Sequence, residues 1–130
     1  MSGLALQVRG LHFAYQQAPV LAGLDFQLER GSLVSLLGPN GAGKSTMFKC
    51  VLGLLEGWKG EILLEGRDIR KLSPMKMART VAYIPQAHSP AFNYSVLDMV
   101  LMGTSARVGA LSGPGQREVA SAMDALELTG

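Results

Sequence analysis

An α/β domain organised around one phosphate-binding loop is the fold that the sequence predicts, and three observations predict it. Residues 38–46 read Gly-Pro-Asn-Gly-Ala-Gly-Lys-Ser-Thr, a complete G-x-x-x-x-G-K-[ST] pattern. The run Leu33-Val34-Ser35-Leu36-Leu37 before it is nearly continuous in apolar residues and has the length of a parallel strand buried on both faces. After it, Met47, Phe48, Val51, Leu52 and Leu55 recur at helical spacing. Strand, glycine loop and helix follow in the order that such a loop requires, which makes a chance glycine-rich turn a poor account of the match.

The residue types of the loop meet one need, the binding of a polyphosphate. Gly38, Gly41 and Gly43 permit backbone conformations in which successive N–H groups turn inward, where a Cβ would block either the turn or the anion. Pro39, Asn40 and Ala42 complete the cup. Lys44 adds a flexible point charge suited to the β- and γ-phosphates, and the Ser45 hydroxyl is placed to complete the shell of a Mg²⁺ that keeps most of its waters. A helix beginning near Lys44 adds its N-terminal dipole, worth only about 0.3–1 kcal/mol, so amides and lysine carry most of the affinity.

The other elements can be placed in chain order. Residues 4–8 and 24–28 alternate as strands, with Leu24, Phe26 and Leu28 on one face of the second and Gln16-Gln17-Ala18-Pro19 as a hairpin loop between them. Gly57-Trp58-Lys59-Gly60 is a turn into a strand over 61–65, closed by Gly66. Ser73-Pro74 reads as an N-cap followed by proline at the first helical position, opening a short helix to Arg79. Val81-Ala82-Tyr83-Ile84 is a further strand stopped by Pro85. A polar stretch over 86–94 then precedes helical patterns near 95–103 and 116–128. No internal repeat or low-complexity tract occurs.

Composition bounds the function. A chain of 130 residues is the size of one domain and long enough to bury a core. A net charge of +2 with 17% charged residues is too mild for a nucleic-acid footprint. Cys50 is the single cysteine, so an internal disulfide is excluded, and its place on the inner part of the predicted helix reads as a small buried apolar residue. The first residues lack the basic start and apolar stretch of a secretion signal, and no run approaches 18 apolar residues. The expected setting is the reducing cytoplasm, with no direct membrane span.

With these pieces in place, the chain resembles the first half of the ATP-binding subunit of ABC transporters. The matching residues are Tyr15, Leu37 to Thr46, Gly60-Glu61-Ile62, Gly66-Arg67-Asp68-Ile69 and Ile84-Pro85-Gln86. Pro85-Gln86-Ala87-His88, then Ser95-Val96-Leu97-Asp98 and Val100-Leu101-Met102-Gly103, look most like the branch importing iron chelates, haem and cobalamin. The resemblance implies a P-loop NTPase fold: an N-terminal antiparallel β subdomain, a partial parallel core sheet and the start of a helical subdomain, truncated. One such domain would divide into a nucleotide-binding part over 1–86 and a loop with an incomplete helical subdomain over 87–130. ATP and Mg²⁺ are the implied cofactors.

Family roles carry over to matching positions. Tyr15 resembles the aromatic that stacks on adenine, and Thr46 the residue whose hydroxyl and amide hold the α-phosphate. Gln86 resembles the glutamine that approaches Mg²⁺ and the attacking water, in a loop that touches a membrane-spanning permease subunit. An amide suits that position because it accepts from water and ligates a hard cation without adding charge. His12 and His88 read as structural and surface residues. The resemblance further implies a homodimer of the full-length form, held at the inner face of the cell membrane through its partner.

The departures matter as much. Leu111-Ser112-Gly113-Pro114-Gly115-Gln116 imitates the family's signature, but it falls where the family has a variable loop, and Pro114 replaces a glycine whose amide the phosphate needs. No Asp-Glu pair occurs anywhere in the chain, so neither the metal-holding Asp nor the catalytic Glu is present, and Ile62-Leu63-Leu64-Glu65 is only an imitation in the peripheral sheet. The switch His is absent too. These 130 residues are therefore expected to bind MgATP without turning it over. Two other readings compete: a non-catalytic nucleotide-binding regulator, and a small P-loop kinase whose arginines, Arg67, Arg70, Arg79, Arg107 and Arg117, show no lid-like clustering.

Overall fold

The computed structural model describes residues 3–86, 93–105 and 113–130. These fall into two compact units, Met1–Ser73 and Pro74–Gly130.

The first unit is built on a four-stranded antiparallel sheet in the order β2-β1-β3-β4, from β1 (Leu4–Tyr15), β2 (Ala18–Glu29), β3 (Lys59–Leu64) and β4 (Arg67–Asp68). Both N-terminal strands are longer than the alternation predicts, and in β1 the cause is a bulge. Leu6 and Val8 face the core on even positions, whereas Leu11 and Phe13 face it on odd ones. Gly10, at φ 55°, absorbs the extra residue between them, and the register with both neighbours shifts there. Asp25 Oδ1 accepts the freed Gly10 N–H at 2.6 Å, and His12 Nδ1 donates to Gly10 O at 2.8 Å. The predicted four-residue hairpin loop shrinks to Gln16-Gln17, with Pro19 inside β2.

Helix α1 (Lys44–Val51) lies against β2. It ends where Leu52 caps it and Gly53 turns left-handed at φ 72°. Met47, Cys50 and Val51 join Leu6, Val8, Leu11, Phe13, Leu21, Ile62 and Leu64 in the core, and burial pushes the Cys50 thiol pKa up, as expected of an apolar filler. Phe48, predicted on the apolar stripe, is instead 46% exposed. Glu65 and Gly66, at φ 50° and 79°, form the tight turn into β4. Asp68 then caps the 3-10 turn Ile69–Lys71 and binds the Arg70 guanidinium at 2.8 Å, which lies 4.7 Å from the Trp58 ring. The hydrogen bonds from Arg70 hold the Asp68 carboxyl below its ordinary pKa.

In the second unit, α2 (Pro74–Thr80) starts at the predicted proline. Helix α3 (Val96–Leu101) carries a capping box: Ser95 Oγ accepts the Asp98 N–H at 3.0 Å and Asp98 Oδ2 accepts the Ser95 N–H at 3.3 Å. It runs into a 3-10 turn over Met102–Thr104 and packs against α4 (Gln116–Thr129), burying Thr104 and Ala122.

Two predicted strands are corrected. Residues 33–37 and 81–84 enter no ladder among the described residues. A parallel strand is stable only with a hydrogen-bonded neighbour and a cover on each face, and no described segment supplies either. Their side chains therefore face water: Leu33 is 97% exposed, Leu37 89% and Ile84 91%. The 130-residue chain is accordingly expected to self-associate and to bind 1-anilinonaphthalene-8-sulfonate strongly. A sharp two-state melt of a monomer that leaves the dye dark would contradict this.

Candidate functional site

The phosphate loop sits in the first unit, between the unpaired 33–37 run and α1, with its base against β2. Gly43 is the reason it fits. It adopts φ 95°, and a Cβ there would lie 3.0 Å from Leu21 Cδ2 and 3.2 Å from both Val20 Cγ1 and Val20 O. Gly41 is also left-handed, at φ 84°, though facing open space. Gly38 departs from the expected reason for glycine. It has no positive φ, and a Cβ would make ordinary contacts, at 3.6 Å from Ala42 Cβ and 3.9 Å from Lys44 Nζ. Its lack of a side chain leaves room beside the ammonium rather than permitting a turn.

The loop carries the groups an anion needs. The first helical amide with an i−4 partner is that of Met47, which donates to Gly43 O at 2.9 Å. The amides of Lys44, Ser45 and Thr46 precede it at the uncapped start of α1, since Gly43 offers no capping side chain. Lys44 Nζ donates to Gly38 O, and to Pro39 O at 3.1 Å, so two backbone carbonyls hold the ammonium across the loop. Ala42 N closes the tip onto Pro39 O at 3.2 Å. Ser45 is exposed. A polyphosphate fits this donor set, and a cation bound with it would take the Ser45 hydroxyl. No group of three or more His, Cys, Asp or Glu able to hold a metal occurs among the described residues.

Tyr15 ends β1 and shares this region, because its hydroxyl receives a hydrogen bond from Thr46 Oγ1 at 3.5 Å. It is 43% exposed, and its ring meets Phe13 edge to face with centroids 4.9 Å apart. Thr46 is buried. The structure thus brings Tyr15 together with residues 38–46, through the Phe13, Val20 and Leu21 side chains that no local pattern tied to the loop. Gln86 belongs to the other unit, where it is an exposed bend at the last described position before residue 93. His88 lies outside the described residues, as do Leu111 and Ser112; Gly113-Pro114-Gly115 is irregular, and Gln116 opens α4, with Glu118 accepting the Gly115 N–H at 2.9 Å.

Comparison with known proteins agrees with this geometry. The family model described as "ABC transporter" matches residues 21–130. The probable iron chelatin transport ATP-binding protein of Helicobacter pylori is 41% identical over 125 residues, covering 95% of this chain and 49% of its own length. The zinc transport system ATP-binding protein TroB of Treponema pallidum is 41% identical over 128 residues, covering 97% and 46% respectively. A solved structure of a metal-chelate type ABC transporter in an inward-facing conformation superposes with TM-score 0.75 at 33% identity, over 97% of this chain and 44% of that one. The chain spans about half the length of the curated relatives it matches. Loop, supporting strands and similarity agree on one conclusion: the chain belongs to the ABC transporter family and has the P-loop NTPase fold of its ATP-binding domains, over about half of its relatives' length.

Proposed function

We propose that this chain binds MgATP as part of the ATP-binding subunit of an importer. One observation supports it above the others: Lys44 Nζ lies across a loop whose glycines bring Gly38 O, Pro39 O and the uncapped start of α1 around one space. Residues 38–44 would cradle the β- and γ-phosphates with their amides and ammonium, Thr46 would hold the α-phosphate, and Tyr15 would offer its ring to the base. A cation bound with the phosphates would take the Ser45 hydroxyl and offset phosphate charge; a contribution from the Gln86 amide is what the family resemblance implies. No Asp-Glu pair is present to orient and deprotonate water, so these 130 residues hold the nucleotide without hydrolysing it.

The division into 1–86 and 87–130 belongs to the same reading, with the Gln86 loop meeting a membrane-spanning permease subunit and the full-length form acting as a homodimer. The protein then works in the cytoplasm at the inner face of the membrane through that partner; among the described residues no helix is long and apolar enough to cross it. Pro85-Gln86-Ala87-His88 and the iron chelatin relative favour an iron chelate, haem or cobalamin as cargo, while the zinc transport relative supports the wider class of metal import.

Calorimetric titration of the chain with ATP in excess Mg²⁺ is expected to show one site, with ATP bound more tightly than AMP and no phosphate released. Equal or absent binding of ATP and AMP would overturn the nucleotide reading, and steady phosphate release would overturn the inactivity.

A further inference from the structure

We propose that the run Leu33-Val34-Ser35-Leu36-Leu37 is a self-recognition strand: it pairs antiparallel with the same run of a second copy of this chain, about a two-fold axis at Ser35. This goes beyond the nucleotide reading and does not rest on it.

The run is exposed along its whole length and enters no ladder among the described residues, so its backbone has no strand partner there. Exposure alone names no occupant; the order of the residues does. Read from either end the run is apolar, apolar, serine, apolar, apolar, so an antiparallel pair centred on Ser35 sets Leu33 against Leu37, Val34 against Leu36 and Ser35 against its own copy. Every apolar residue meets an apolar residue, the two central hydroxyls meet each other, and no charge is brought between the strands. A second copy matches this order by symmetry, whereas an unrelated strand would have to match it by chance. Alternation puts Val34 and Leu36 of both copies on one face of the pair, an unbroken apolar patch, and Leu33, Ser35 and Leu37 on the other. Antiparallel pairing is favoured over parallel because one patch then serves both copies and its hydrogen bonds run straight across rather than slanted. The pair is also bounded: Ser32 N donates to Glu29 O in the turn that ends β2, and Pro39 has no N–H to give a ladder.

A charge at the two-fold axis meets itself, which gives the test. Ser35 is exposed, so Ser35→Lys and Ser35→Glu leave the fold intact, and each is expected to self-associate about fivefold more weakly than the unsubstituted chain in sedimentation velocity. Mixed in equal amounts, the two variants should associate with each other at least as well as the unsubstituted chain does with itself. Direction is read by cross-linking under mild oxidation, with Cys50 buried and out of reach. Leu33→Cys mixed with Leu37→Cys should form a disulfide-linked dimer more readily than either alone. Association unchanged in both Ser35 variants, or lost in both and not restored by mixing, overturns self-pairing at this run. Cross-linking by each cysteine variant alone and not by the mixture overturns the antiparallel register. A monomeric unsubstituted chain overturns the proposal outright, and none of these results bears on whether it binds ATP.

Discussion

Lys44→Ala is expected to weaken MgATP binding by roughly 10- to 100-fold, the range for hydrogen bonds made to a charged group. Stability should barely move. Among the described residues the ammonium donates to the Gly38 and Pro39 carbonyls, which sit on an exposed loop and can turn to water when it is gone. The phosphates have no equivalent substitute: the helix dipole supplies at most about 2 kcal/mol and the loop amides carry no net charge. Calorimetry against ATP, with a thermal melt on the same sample, separates the two effects. A variant that melts early and loses binding in proportion would mean that Lys44 holds the loop rather than the nucleotide. Lys44→Arg is expected to resemble Ala, because a planar fork is a poor replacement for a point charge threaded between two carbonyls.

Gly60→Ala should have the largest effect on stability, a loss of about 3 kcal/mol. Gly60 is the second residue of β3, at φ 110°, and a Cβ there would stand 2.4 Å from Gly10 O and 2.6 Å from Arg9 O, both backbone atoms of the strand it pairs with. Neither can move aside as a side-chain end could. Relief requires opening the β1–β3 ladder where Gly10 already makes its bulge. Gly10→Ala is the internal control: it also sits at positive φ, 55°, but a Cβ there would meet nothing within 4 Å. Its cost should be only the left-handed penalty of about 1–2 kcal/mol. Urea titration of both variants tests the contrast, and a Gly60 variant no less stable than the Gly10 variant would refute the backbone clash.

The same bulge explains why local pattern stopped short at the N-terminus. Alternation predicts a strand over 4–8 because it is intact there; at Gly10 the parity flips, and the sequence from Leu11 to Tyr15 reads as out of phase with what precedes it. Only a partner strand shows that Leu6, Val8, Leu11 and Phe13 share one face. The helices were legible because their signals are local. Ser73-Pro74 marks the start of α2 without reference to any other part of the chain, and the helical patterns near 95–103 and 116–128 are equally local. The runs at 33–37 and 81–84 show the opposite failure. Their composition suits buried parallel strands, but a strand exists only through its neighbours, and the described residues give them none.

For the site, the order of residues 38–46 alone carries the proposed chemistry, because a phosphate cup needs glycine, lysine and a hydroxyl at a spacing that the backbone itself enforces. Sequence also determined the family that the comparisons place this chain in, since its motifs are short and contiguous. The tertiary structure decided what contiguity cannot carry. It showed that Gly43 is required by the close approach of Val20 and Leu21, that Gly38 is not held to glycine by its backbone conformation, and that the Thr46 hydroxyl is already engaged by Tyr15 across 31 positions of chain. These are distances between segments brought together by the sheet, and no periodicity along a single chain encodes them.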